Sequence, residues 1–426
     1  MKVLSQEQHG ISRRHVSKAA LSVISQLQKH HYQAYLVGGA VRDLMLGGHP
    51  KDFDVATDAT PEQVHKLFRG ARIIGRRFRI VHVRFGREII EVTTFRGHHD
   101  DAKGKNQAQQ SASGRLLRDN VYGCLKQDAE RRDLTINALY YDPARNTVHD
   151  QVGGLEDLRD KRIRIIGDPE TRYREDPVRM LRVLRFAAKL NFTPDKASRK
   201  QIDHCARLLA DIPPARLFDE FVKLFMSGYA VRSLEQLQKA DVFKYLFPQT
   251  CALLADTPLW QNMLDAAMLN TDARIAARKP VTPAFLLAVI LWPAVQRQQT
   301  ELKQLGEPDV PAMHAAGSQV VMRCAQTLSI PRRFSQPMRE IWDFQIRLQR
   351  PKGRKAAELV DHRRFRAAYD FLLLRDQAGE DIGDLGDFWT QFQTLSLDER
   401  IAKAGAEKRP RRRSQKSKNA VASRHD

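Results

Sequence analysis

The chain has no hydrophobic run approaching the ~20 residues that a bilayer-spanning helix needs. Its nearest candidate, Ala284 to Trp292, is too short and reads as a buried helix. Met1 to Gly10 is polar and lacks the apolar stretch of a secretory signal. Cysteine is scarce as well: Cys124, Cys205, Cys251 and Cys324 are scattered, with no CxxC pair. That spacing argues against a zinc site or a disulfide framework and suits a reducing cytoplasm. Acid is in short supply too. Against 71 Lys and Arg stand 50 Asp and Glu, a formal net charge of +21. Such an excess favours polyanionic partners, nucleic acid first and an anionic membrane surface second.

What is present is enough to fold. The 426 residues, 42% of them hydrophobic, allow two or three domains with real cores. His15 to Lys29 places Val16, Ala19, Ala20, Val23, Ile24 and Leu27 at helical spacing. Ala34 to Val37 reads as a strand that runs into Gly38-Gly39. Arg79 to Phe85 alternates with period two, turns at Gly86-Arg87 and returns as Glu88 to Phe95, the pattern of a hairpin. Its return strand is expected to place Glu91 beside the Asp52/Asp54 strand. Gly97 to Gly114 is polar and is expected to be a mobile surface loop. After about residue 158 the strand patterns stop, and from about 170 onward the chain reads as helical. Lys408 to Asp426 holds eight Lys and Arg against one Asp and is expected to be disordered.

The chemistry concentrates in a few places. Gly38-Gly39-Ala40-Val41-Arg42-Asp43 precedes Asp52-Phe53-Asp54. On a strand, residues two apart share a face. Two carboxylates on one face suit hard divalent cations, which prefer oxygen ligands and bind nucleotide phosphates. The glycine pair lets backbone amides approach a triphosphate. Either element alone is common in turns and helix caps; their ordered combination points to metal-assisted nucleotidyl transfer. In that chemistry Asp52 and Asp54 ligate two metals, one activating a 3′ hydroxyl and one steadying the pyrophosphate leaving group. A third carboxylate has two candidates. Glu91 has the better strand geometry, whereas Asp133, in Arg131-Arg132-Asp133-Leu134-Thr135-Ile136-Asn137, lies beside two guanidiniums or caps a helix.

Further on, Asp176-Pro177 marks a helix start, and Arg179, Arg182 and Arg185 form a basic stripe every three residues. A solvated face is the ordinary meaning of such a stripe, but here no acids stand four residues on. Glu175, Asp176 and Arg179 are candidates to hydrogen-bond the edge of an incoming base in place of a template. Arg42 and Asp43 are candidates to contact the nucleotide's sugar or phosphates.

These residues closely resemble the class II nucleotidyltransferases, the family of bacterial poly(A) polymerases and tRNA CCA-adding enzymes. The resemblance is dense from about His15 to about Leu190 and looser through the helical remainder. It rests on the glycine pair with Arg42-Asp43, the Asp52/Asp54 pair, Arg132-Asp133 with Asn137, and Glu175-Asp176-Pro177-Val178-Arg179. The poly(A) polymerase branch is favoured by Ile74-Gly75-Arg76-Arg77-Phe78-Arg79-Ile80-Val81-His82-Val83, Phe95-Arg96-Gly97-His98-His99, Leu116-Leu117-Arg118-Asp119-Asn120 and the Arg-rich end.

The resemblance implies an α+β fold: a small nucleotidyltransferase head with an antiparallel sheet, then an all-helical neck and body and a disordered basic tail. The corresponding boundaries are 1–165, 166–280, 281–400 and 401–426. It implies Asp52, Asp54 and Asp133 as catalytic carboxylates with Glu91 supporting, and Gly38, Gly39, Arg42, Asp43, Arg132, Asn137, Glu175, Asp176 and Arg179 around the nucleotide. It also implies two Mg²⁺ ions, with Mn²⁺ as a substitute, and ATP as substrate. The expected activity is untemplated addition of AMP to the 3′ ends of messenger, regulatory or transfer RNA in the cytoplasm, in the context of RNA decay and its chaperones. CCA addition to tRNA is the alternative.

Overall fold

The computed structural model describes residues 1–75, 78–97, 108–110 and 116–405. Most of the 97–114 stretch, including His98 and His99, lies outside them, as do Arg76, Arg77 and the basic tail from 406 onward.

The N-terminal region is built on an eight-stranded sheet in the order β1-β10-β9-β2-β3-β6-β5-β4. Its strands are β1 (Lys2–Leu4), β2 (Ala34–Val37), β3 (Asp54–Thr57), β4 (Ala71–Ile74), β5 (Ile80–Phe85), β6 (Glu88–Thr94), β9 (Leu139–Asp142) and β10 (Thr147–Asp150). β7 (Ala108–Gln110) and β8 (Leu116–Asp119) pair separately. The expected antiparallel sheet is present with one exception: β3 and β6 run parallel. The hairpin read from alternation is β5 with β6, antiparallel from Ile80↔Thr93 to Phe85↔Glu88. Its alternation has a physical cause, since Val81, Val83, Ile90 and Val92 are buried while Arg84, Ile89 and Glu91 face outward.

Helix α1 (Lys18–Lys29) covers one face of this sheet, and all five of its buried residues, Ala19, Ala20, Val23, Ile24 and Leu27, belong to the stripe read from sequence. It starts at Lys18 rather than His15, because the Ser17 hydroxyl caps the amides of Ala19 and Ala20. On the opposite face Tyr35, Val37, Ala56, Phe95, Ala129, Ala138 and Tyr140 form one apolar cluster. Helices α2 (Gly39–Met45), α3 (Leu125–Arg131), α4 (Pro169–Glu175), α5 (Val178–Leu190) and α6 (Pro214–Phe225) complete the surroundings of the site. The chain is not purely helical after 158: Arg162–Ile163 pairs in parallel with Thr193–Pro194 as β11 and β12.

The chain divides into two compact units. One comprises Met1–Ala252, Met268–Val281 and Arg323–Ile330; the other comprises Leu253–Ala267, Thr282–Met322 and Pro331–Asp426. Among its described residues the second has helices and no strand. Its long helix Pro283–Gln304 buries Leu286 through Trp292, as the apolar run foretells. Two fully buried tryptophans are satisfied by backbone carbonyls, Trp342 by Ala288 at 3.0 Å and Trp389 by Leu348 at 2.9 Å. Among the described residues no helix is long and apolar enough to cross a membrane.

Candidate active site

β2 ends at Val37, and Gly38 turns the chain into α2 with φ 78 and ψ −136. That conformation is essentially reserved for glycine. Val37 is the ladder partner of Asp54, so the turn stands beside the first residue of β3. A Cβ at Gly38 would lie 3.8 Å from an Arg132 terminal nitrogen and 4.0 Å from Asp54 Oδ2. Asp52 is not on the strand. It sits in the irregular segment before β3, exposed, with Phe53 buried between the two aspartates. On β6, Glu91 is in register with Asp54. Burial, then the charges of Glu91 and Asp52, against the opposing pull of Arg132, push the Asp54 carboxyl up to about 6. The fold thus brings Asp52, Asp54 and Glu91 into one electrostatic neighbourhood.

Guanidiniums form the wall around these acids. Arg42, 2% exposed, donates to Asp43 Oδ1 from Nε at 2.8 Å and to the Asn137 side-chain oxygen. Arg132 donates to Asp128 Oδ2 at 2.9 Å and to the Tyr140 hydroxyl at 2.9 Å. Asp133 accepts from Arg182 on α5 and from the Leu134 amide at 2.8 Å. Burial alone would raise the Asp133 pKa; Arg182 and the Leu134 amide instead hold it well below the usual carboxylate range. Of the two candidates for a third carboxylate, Glu91 is in register with Asp54, and Asp133 is engaged by Arg182.

A cavity of about 240 Å³ opens among these groups. It is lined by Gly38, Gly39, Arg42, Asp54, Arg132, Asp133 and Asn137 from the sheet side, and by Arg182, Arg185, Phe186 and Lys189 from α5, with Tyr229. Asp43 does not line it but approaches Lys189 Nζ at 3.4 Å. Neither do Asp52 and Glu91.

Glu175, Asp176 and Arg179 are also outside the lining. The helix start read at Asp176-Pro177 is present: α5 begins after Pro177, and a separate helix, α4, ends at Glu175, with Asp176 at the break. Glu175 accepts from Arg172 at 2.8 Å and from Arg179 at 2.7 Å. Asp176 accepts two parallel bonds from Arg216 on α6, 2.9 and 2.7 Å. The basic stripe is therefore not a solvated face: Arg179 and Arg182 are paired with acids that precede them in the chain.

The carboxylates at β3 and β6 suit a divalent cation. Their donors are all oxygen, and Asp54, whose pKa is raised first by burial and then by the charges of Glu91 and Asp52, would be relieved by a cation beside it. Among the described residues no group of three or more His, Cys, Asp or Glu forms a self-sufficient metal cage. Mg²⁺ ordinarily takes one or two protein carboxylates and completes its shell with water and substrate phosphates.

Phe186, Lys189 and Tyr229 on the cavity wall carry no sequence signal of their own. Arg182 and Arg185 were visible only as a stripe, without a role. Asp128 and Arg216, the partners that fix Arg132 and Asp176, were also missed; only the four-residue spacing of Asp128 and Arg132 could have suggested one of them.

Three family models match the chain: a poly A polymerase head domain over residues 34–164, a probable RNA and SrmB-binding site of polymerase A over 191–254, and a polymerase A arginine-rich C-terminus over 305–421. Poly(A) polymerase I of Salmonella typhimurium is 44% identical over 437 residues, covering 99% of this chain and 94% of the relative. The Haemophilus influenzae protein of the same name is 44% identical, covering 93% and 89%. A CCA-adding enzyme of Bacillus licheniformis is 38% identical over 229 residues, 53% of this chain and 55% of the relative. Among solved structures, the Bacillus stearothermophilus CCA-adding enzyme in complex with CTP is similar with a TM-score of 0.54 at 26% identity, covering 90% of this chain and 82% of that one. The Thermotoga maritima CCA-adding enzyme complexed with tRNA shares the fold at a TM-score of 0.60 and 19% identity, covering 93% and 87%.

Proposed function

The chain belongs to the poly(A) polymerase family of nucleotidyltransferases, and we propose that it transfers AMP from ATP to RNA 3′ ends without a template, releasing pyrophosphate. One observation carries the choice within the family. Poly(A) polymerase relatives align along nearly the whole chain, 99% of it in the Salmonella protein, whereas the CCA-adding relative aligns over 53%. CCA addition uses the same kind of site and remains the reading that nucleotide choice separates.

In this reading the head, 1–165, carries the chemistry, and the helical regions 166–280 and 281–400 hold RNA together with the basic tail 401–426. The backbone at Gly38 and Gly39 lets phosphates approach. Arg42, Arg132 and Asn137 set the charge around the polyphosphate, with Asp43 orienting Arg42 through the Nε contact of 2.8 Å. Asp52 and Asp54 hold Mg²⁺, or Mn²⁺ in its place, with Glu91 adding negative charge beside them. Bound there, the metal supplies Lewis acidity for the attacking 3′ hydroxyl and the departing pyrophosphate. Asp133 keeps Arg182 aimed across the cavity. Glu175, Asp176 and Arg179 offer a fixed pattern of donors and acceptors to the adenine edge, held by Arg172 and Arg216. RNA phosphates meet the charge of the helical part without sequence choice. Such activity belongs to cytoplasmic RNA processing and decay, alongside decay nucleases or RNA chaperones.

Nucleotide choice tests it. With Mg²⁺, one RNA oligonucleotide and each NTP separately, ATP is expected to be incorporated repeatedly and CTP, GTP and UTP poorly. Equal use of CTP and ATP would remove the poly(A) reading.

A further inference from the structure

Four of the five cations on the cavity wall already have an oxygen partner. Arg42 is held by Asp43 and Asn137, Arg132 by Asp128, and Arg182 by Asp133; Lys189 approaches Asp43 at 3.4 Å. Arg185 is different. Among the described residues no carboxylate stands within ion-pair distance of it, and its Nε is buried without an acceptor. A buried donor left unpaired bears its full desolvation cost, so a native structure that keeps one calls for an explanation.

Behind Arg185 is α6, where Glu220 is 4% exposed. One Glu220 oxygen accepts from Lys223 Nζ at 2.8 Å, and the other is buried without a partner. Its charge acts on both Arg182 and Arg185 from beyond contact distance. Burial draws the Arg185 guanidinium below the ordinary arginine pKa, which Glu220 opposes. Arg185 thus stays charged and aimed at the cavity without being neutralised.

Its support is Phe186, 7% exposed. The ring collects three guanidiniums, Arg42 at 4.8 Å, Arg185 at 4.8 Å and Arg182 at 5.9 Å from its centroid. The π face attracts each cation, and packing against the ring limits the freedom of a long side chain.

We propose that Arg185 is a contact for a phosphate oxygen in this cavity, and that Phe186 is the positioning residue that keeps it there. The oxygen belongs either to the polyphosphate of the incoming nucleotide or to the terminal phosphodiester of the RNA acceptor; both offer the oxyanion geometry that a planar guanidinium fits. This rests on the nucleotidyl-transfer reading and adds to it a residue and its support.

The test is steady-state kinetics with ATP and RNA varied separately. Arg185→Gln is expected to raise one KM by about tenfold while kcat stays within about threefold, the signature of lost binding. A raised KM for ATP assigns the polyphosphate; a raised KM for RNA assigns the acceptor. Phe186→Leu should give the same KM change and Phe186→Tyr should restore it, which a merely structural role for the ring would not do selectively. Direct binding of inorganic tripolyphosphate and of the RNA oligonucleotide to wild type and Arg185→Gln needs no turnover. It therefore reads the contact even if the chain does not polymerise, a failure that would fall on the proposed function alone. A weakening of either probe by about tenfold upholds the assignment. Both affinities and both KM values unchanged, in a variant with the wild-type thermal midpoint, would overturn it.

Discussion

Asp133 and Arg182, 49 positions apart, form an ion pair that joins the segment after α3 to α5 on one side of the cavity. The Asp133 carboxyl is held below its ordinary range by that contact and by the Leu134 amide, against the opposing effect of burial. A depressed carboxylate pKa contributes stability that is complete above the unfolded value of about 4 and is lost as pH falls below it. Asp133→Asn is therefore expected to lower stability by roughly 2 kcal/mol at pH 7. That is below the full cost of breaking a buried pair, because Arg182 keeps 34% of its side chain exposed. Thermal unfolding of both proteins at pH 7 and pH 3 checks the sign: the gap narrows in acid. A gap that is constant across pH would show the ion pair to be incidental.

Asp54 and Asp52 differ in setting, one half-buried at the start of β3 and the other exposed before it, yet both are assigned to the metal. Asp54→Asn and Asp52→Ala should each reduce nucleotide addition by about a thousandfold or more, while RNA affinity in a filter-binding assay changes by less than about twofold. Near-normal extension by either variant contradicts the assignment of that residue.

Arg216 holds both oxygens of Asp176, at 2.9 and 2.7 Å. Removing a bidentate, charge-assisted partner loses roughly 2 kcal/mol of positioning. Arg216→Ala should then reduce discrimination between ATP and CTP by roughly tenfold, with RNA binding little affected. Competition between the two nucleotides in one reaction measures this, and unchanged discrimination would detach Asp176 from base choice.

Gly38→Ala separates strain from space. The nearest atoms to a new Cβ lie at 3.8 Å or beyond, ordinary contact, but the φ of 78 belongs to glycine. The expected cost is about 1–3 kcal/mol, expressed as a lower thermal midpoint and a higher KM for ATP as the turn relaxes. Unaltered stability and KM would mean that the turn tolerates a side chain.

Much of this site was legible because it is local. Alternation gave the β5–β6 hairpin, and with it Glu91 near the Asp52/Asp54 segment; the glycine pair gave the turn into α2. What was illegible depends on tertiary packing. The stripe of Arg179, Arg182 and Arg185 has no acids four residues on, so spacing within the helix could not name Asp133 as the partner of Arg182. Asp176-Pro177 did mark a helix start, but Pro177 also separates α4 from α5, and that break turns Asp176 towards Arg216 on α6. Phe186 and Lys189 look like ordinary helix residues, and Tyr229 like an ordinary residue before a helix, until α5 is docked beside Gly38 and Arg42. Asp52 fell outside the strand because the ladder with Val37 begins at Asp54.

The most direct measurement is primer extension with Mg²⁺ and either ATP alone or ATP with CTP, on an unstructured RNA oligonucleotide and on a tRNA lacking its terminal CCA. A long ladder on the oligonucleotide with ATP alone is the predicted result. Addition confined to the tRNA, dependent on CTP and ending after completion of CCA, would contradict the account.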